Sequence, residues 1–403
     1  MIHEFWENFR HNLFKPLLLF FYMGFLVPIL GVEFEFPHII YQGLTIYLLV
    51  SIGWHGGEEL AKLDNKVLTQ ALEFMGVGFV TNFLIGVAAY LFLRGFTKLR
   101  KVDAATVAGY YGSDSAGTFA TCVGVLGGLV KLGQVEFNYA PYMPVMLAVM
   151  EIPGCLVALF LVSRLRAQGM DALGHMPNEE GYDKHAKAPA PVEREGGHGG
   201  HQRTSQGTNV GGLGYEDFAA KKPPGIFSRE ILHEVFLNPG LFLLFGGIVI
   251  GFVGQKQGSD VTNPDDPLFL NLFQGLLCLF LLEMGMTASR KLKDLKRGGL
   301  PFILFGILAP VVFATFGIVV AHLFSMVIHQ ELQLGTYVLF SVLCSAASYI
   351  AVPAVQRLAI PEASPTLPLA ASLGLTFSFN VTIGIPLYVQ IAKSLMRAFP
   401  AAH

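Results

Sequence analysis

The chain has 403 residues, 53% of them hydrophobic and 14% charged, where soluble chains carry roughly a quarter charged. Lipid is therefore the solvent for most of it, and a formal net charge of −2, with the charges lying between apolar runs, offers no basic face to nucleic acid. The four cysteines, Cys122, Cys155, Cys278 and Cys344, stand singly in apolar segments, without the paired spacing of a disulfide framework or a metal site.

Residues 1–15 are polar and amphipathic and carry no small-residue cleavage site, so a removable signal peptide is not expected and the first span is expected to stay as an anchor. A bilayer-crossing helix needs about 20 mostly apolar residues. Ten such runs are predicted, over residues 16–32, 39–54, 74–93, 104–130, 137–163, 235–255, 267–286, 298–328, 332–356 and 363–392. Between the fifth and sixth, residues 164–229 are rich in Gly, Pro, His and charge, a composition that predicts a flexible linker. Its His198 and His201, in a glycine-rich stretch, read as incidental rather than metal-binding.

The two halves repeat weakly. Leu49, Gly53, Leu60 and Leu63 recur 232 positions later as Leu281, Gly285, Leu292 and Leu295, and the same offset carries Ser113 onto Ser345. One position more carries Ile152 and Pro153 onto Ile385 and Pro386. Five helices per copy is an odd number, so the second copy enters the membrane from the opposite side. The predicted fold is an all-α membrane protein of ten transmembrane helices in two inverted five-helix repeats, 1–163 and 230–403, with helices 4 and 9 discontinuous. Loops after the odd-numbered spans hold 19 of the 27 basic residues, clustered after spans 3 and 7. This predicts a cytoplasmic linker and both termini outside the inner (plasma) membrane.

Span 4 is interrupted by residues 109–118, glycines and hydroxyls around Asp114, and span 9 by residues 345–353, where Pro353 lacks an amide hydrogen. Paired interrupted helices are the usual place for a transporter's site, because a half-helix N-terminus offers amide hydrogens to an anion while freed carbonyls receive a cation. The anion is expected at Ser113, Ser115, Gly117, Thr118, Ser345, Ser348 and Tyr349, and the cation at Asp114, Glu151 and Asn380. Asp114 and Glu151 are intramembrane carboxylates, which are expensive unless they work. A third, Glu283, lies near Arg290 and Lys291 and is expected in a boundary ion pair. Catalysis is not expected: there is no HExxH, and residues 112–117 have GxxSxG spacing rather than that of a hydrolase elbow. No organic cofactor is expected.

Residues 98–106 leading into "YGSDSAGTFA", "EIPG" at 151–154, "DPLFLNLFQGLLCLFLLEMGM" at 266–286, and residues 357–365 closing on "IGIPLY" resemble the sodium-dependent bicarbonate transporter family, the SbtA type of cyanobacteria. The resemblance covers nearly the whole chain. It implies sodium-coupled bicarbonate uptake with Na+ as coupling ion, a homotrimer, and a cytoplasmic face that a PII-like protein can regulate. The chain departs from that family at three places: Tyr349 replaces an acidic residue, Asp114 stands for an apolar one, and Glu151 for an Asp, which moves a carboxylate from the second repeat to the first. Rival readings are a proton- or sodium-coupled carrier of another solute, such as an organic anion, and a passive anion channel.

Overall fold

A computed structural model describes residues 14–131, 135–186, 229–349 and 351–401. Among them there are helices and turns but no strand. We number the principal helices α1 (Pro16–Ile29), α2 (His38–Ala61), α3 (Asn65–Phe96), α4 (Lys101–Tyr111), α5 (Ala116–Lys131), α6 (Met143–Ala167), α7 (Arg229–Leu237), α8 (Pro239–Gln257), α9 (Phe273–Lys291), α10 (Gly299–Val327), α11 (Leu334–Ser345), α12 (Ala351–Ala359) and α13 (Leu367–Ala398). Five of the described helices, α3, α6, α8, α10 and α13, are long and apolar enough to cross a bilayer, and α1 and α11 are shorter apolar helices. The second apolar run extends further than expected, to Ala61, and the sixth is divided where the Asn238 side chain accepts the Leu241 amide hydrogen and starts α8 afresh.

Two helix crossings bring backbone against backbone. A Cβ on Gly53 of α2 would lie 2.4 Å from the Leu244 carbonyl oxygen of α8, with Ile248 next to it. A Cβ on Gly285 of α9 would lie 2.1 Å from the Phe21 carbonyl oxygen of α1, with Phe25 next to it. Gly53 and Gly285 are the 232-residue pair of the sequence, and Phe21 and Phe25 stand 223 positions before Leu244 and Ile248. The two crossings thus use corresponding residues of the two halves. Only glycine permits such an approach, which is how helices gain dispersion contact where lipid removes any hydrophobic drive between them.

The connections after α3, α6 and α12 meet on one face. Arg100 donates to Asp103 and to the Leu173 carbonyl, the Ser364 amide donates to Asp103, and Arg166 makes a two-pronged pair with Glu362 at 2.8 and 2.9 Å. The first part of the segment expected to be flexible is folded here. Over residues 168–186, Asp171 accepts amide hydrogens from Leu173, His175 and Asp183, and Glu179 accepts that of Lys101 at the start of α4. Burial by itself would raise the Asp171 carboxyl, but those three amides outweigh it and hold the group below its usual range. His198 and His201 lie outside the described residues. Beyond the far end of α5, the Ala140 amide donates to Thr336 at the start of α11.

Candidate functional site

The two interrupted helices meet at their interruptions. Between α4 and α5 the chain crosses residues 112–115, and between α11 and α12 residues 346–350. The Ser348 amide donates to the Tyr110 carbonyl at 2.8 Å, tying the second break to the end of α4. Gly117, at the start of α5, faces the Tyr349 hydroxyl so closely that a Cβ would lie 1.8 Å from it. These two residues are also 232 positions apart. Residues at corresponding places in the two halves thus touch each other where the breaks cross. Two helix N-termini, of α5 and α12, and two C-termini, of α4 and α11, converge here, and with them partial charges of both signs.

Local chemistry explains each turn of the first break. Ser115 caps α5, its hydroxyl oxygen accepting from the Thr118 amide at 3.3 Å and from the Thr118 hydroxyl at 2.9 Å. Ser113 donates to the Glu151 carbonyl of α6 at 2.5 Å. That approach depends on Gly154, where a Cβ would stand 2.1 Å from the Gly109 carbonyl and 2.4 Å from Ser113 Oγ. Asp114 is fully buried, and neither carboxylate oxygen has a hydrogen-bond partner among the described residues. Its chain neighbour Ser113 is bonded to the main chain of Glu151, another buried carboxylate. Neither is in an ion pair among the described residues. Two ionised carboxylates cannot share a dry interior without a counter-charge, so this pair is chemically suited to hold a proton or a metal cation.

The second break is neutral and tied down. Ser345 donates to the Val342 carbonyl at 3.3 Å, and its own carbonyl accepts from Asn380 Nδ2 at 3.2 Å. Asn380 Oδ1 accepts from the Tyr388 hydroxyl at 2.6 Å. Asn380 belongs to α13 where that helix widens into π-type turns, Ala370–Phe377 and Asn380–Gly384, a distortion common at functional sites. Ser348 Oγ accepts from the Val352 amide at 3.4 Å. Tyr349 packs its ring edge-on to Phe377 at 5.7 Å between centroids, and its hydroxyl lacks a hydrogen-bond partner among the described residues.

Residues 16–393 match the family model for the Na+-dependent bicarbonate transporter superfamily. The chain belongs to that superfamily. No curated protein matched it. Membership of a transporter superfamily, with several apolar helices, makes it a multi-pass membrane protein.

Within this superfamily member, Ser113, Asp114, Ser115, Gly117, Thr118, Ser345, Ser348 and Tyr349 come together at the crossing of the breaks, all but closed off from solvent at 3% exposure or less for every side chain named. Glu151 joins them from α6. Asn380 reaches the site through the Ser345 carbonyl, with both ends of its amide already engaged. Among the described residues Glu283 is not in the boundary ion pair expected of it: the Thr287 hydroxyl one turn on donates to it at 2.9 Å, a local bond that needs no long basic side chain to fold back. Sequence reasoning missed two contributors. Tyr110 donates to Gln356 at 2.7 Å, and Gln356 to the Ser364 carbonyl, binding α4 to α12. Asn82 of α3 donates to the Met150 carbonyl of α6 at 2.9 Å. Its signal was a lone amide in the apolar run 74–93.

Proposed function

We propose that the protein is a secondary active transporter that takes up bicarbonate, or a similar small inorganic anion, coupled to sodium, by alternating access between its two halves. The observation that carries this reading is the fully buried Asp114, unpartnered, beside Glu151 and against the converging helix ends. A sodium ion at the carboxylates and an anion at the α5 and α12 N-termini would offset each other's charge where neither is affordable alone. Superfamily membership supports the choice of ions. Burial of the whole crossing favours a carrier over an open channel, since ions reach such a site only after the surrounding helices move.

The matched crossings of α2 on α8 and α9 on α1 support ten spans in two inverted repeats, 1–163 and 230–403. Ser113, Ser115, Gly117, Thr118, Ser345, Ser348 and Tyr349 are assigned to the anion, Asp114 and Glu151 to the cation, and Asn380 to positioning the Ser345 carbonyl. The clustered basic loops orient both termini outside and the linker inside the plasma membrane. The resemblance extends the proposal to a homotrimer and to a PII-like protein at the linker face.

Uptake of labelled bicarbonate into proteoliposomes, with and without an inward sodium gradient, tests the core of this. Saturable accumulation that needs sodium is expected, and equilibration without it would favour a channel. One observation supports a second reading, proton coupling: a carboxylate pair without a base also suits a proton. A pH gradient driving accumulation in sodium-free buffer would establish it. A cysteine placed near residue 200, in a background without the native cysteines, should react with impermeant label only in inverted vesicles.

A further inference from the structure

Asn82 lies midway along α3, fully buried, within its charge-free stretch 74–93. Its Nδ2 donates to the Met150 carbonyl at 2.9 Å, which both fixes the amide and identifies which end is nitrogen. Its Oδ1 is a buried acceptor without a hydrogen-bond partner among the described residues. An amide oxygen in that condition forfeits its hydration unless something comes to it.

The surroundings say what that is. Met150 is the residue before Glu151, whose carbonyl receives the Ser113 hydroxyl. Asn82 and Ser113 therefore dock onto consecutive carbonyls of α6. On the other side, a Cβ on Gly112 would lie 3.2 Å from the Asn82 main-chain oxygen and 2.8 Å from the Gly86 Cα one turn on, so α3 and the first break are in direct contact two residues from Asp114. Three elements in mutual contact thus each contribute a side chain with a hard oxygen: Asn82 from α3, Asp114 from the break and Glu151 from α6. Three of those oxygens, Asn82 Oδ1 and both of Asp114, are buried and unpartnered. Hard oxygen donors, one neutral and the rest anionic, suit a small alkali cation rather than a soft transition metal.

We propose that Asn82 Oδ1 is a ligand of the coupling cation, the neutral oxygen of a site completed by Asp114 and Glu151. This rests on the sodium-coupled reading above and adds a third helix to the site. A cation held from α3, α6 and the first break fastens the break to both neighbouring helices, so its arrival orders the ground on which the α5 N-terminus presents itself to the anion.

The test is thermal melting of the purified full-length protein titrated with NaCl against choline chloride at constant ionic strength. In the unmodified protein sodium should raise the melting temperature with a definite half-point. Asn82→Ala removes both the oxygen and the bond to Met150, and is expected to raise that half-point at least about fivefold. Asn82→Asp removes the same bond but keeps an oxygen at Oδ1, and is expected to stay within about twofold of the unmodified half-point. Should the alanine variant not fold, Asn82→Leu, nearest in shape, takes its place. An unchanged half-point in the alanine or leucine variant overturns the assignment. So does equal weakening in the apolar and aspartate variants, which would make Asn82 merely the anchor of α3 on Met150. Failure of the reading beneath it looks different: the unmodified protein itself would show no sodium response.

Discussion

At residues 112–115 the chain presents to its own interior two carboxylate oxygens that nothing in the described protein satisfies; at residues 345–349 it presents serines, a tyrosine and a carbonyl held by the Asn380 amide. The backbone device is the same, a helix stopped and restarted within a buried crossing, and Ser113 and Ser345 occupy corresponding places in the two halves. The chemistry is divided. The first break carries a carboxyl group without a hydrogen bond among the described residues, whereas the second is neutral and ties its main-chain groups to Tyr110, Val342 and Asn380. The lesson is that the same backbone device can carry different chemistry: sequence divergence places a carboxyl group in one half-helix junction and only neutral groups in the other.

The largest effect expected from breaking this comparison is at Gly154. Alanine there would press on the Gly109 carbonyl and on Ser113, and it should lower stability by about 1–3 kcal/mol. Ser348→Ala, in the second break, gives up one long hydrogen bond and should cost at most about 1 kcal/mol. Melting temperatures of the two variants in detergent decide the matter, and equal losses would mean that the first break is no more tightly held than the second.

Next in size is Asp114→Asn, which keeps the shape and removes the charge. Half-maximal uptake should need at least about tenfold more sodium, or about 1.4 kcal/mol. Reciprocity between coupled ligands then lowers anion affinity at limiting sodium. A variant with the sodium dependence of the unmodified protein would transfer the cation's charge partner to Glu151.

Ser345→Ala probes the other junction. At saturating sodium the anion concentration for half-maximal uptake should rise about two- to fivefold, the size of one hydrogen bond, with sodium dependence nearly untouched. If sodium dependence moves further than anion dependence, the division of labour between the breaks is the reverse of the one argued.

The smallest effect on transport is expected outside the membrane, at Asp171, whose loop clasps the ends of α4 and α6. Its carboxyl titrates lower in the folded loop than in the unfolded chain. Its contribution is therefore complete at neutral pH and is lost as pH falls through the folded value, below the usual carboxylate range. Asp171→Asn should loosen residues 168–186 at neutral pH as acid does in the unmodified protein, seen as faster proteolysis there. Uptake should change less than about twofold, in keeping with a loop stability below that of the global fold.

The sequence by itself determined what depends on local pattern. Hydropathy marked every apolar run that the helices cover, because lipid forces the backbone to satisfy its own hydrogen bonds within each segment. Glycines, hydroxyls and Pro353 marked both breaks, and the 232-residue offset paired Gly53 with Gly285 before their matching crossings were seen. The choice of partners was left to the tertiary structure. Asn380 was legible as a polar residue, but not that its amide joins Ser345 to Tyr388; Asn82 was legible too, but not that it donates to the Met150 carbonyl, one residue before Glu151. Glu283 carried basic neighbours in sequence and bonded to a threonine instead. Residues 168–186 read as linker by composition, and fold because three amides find one buried carboxylate and Arg100 finds the Leu173 carbonyl. A residue's type fixes what hydrogen bonds it can make. Which of them it makes depends on helices far apart in the chain, brought together by packing, and that no local pattern encodes.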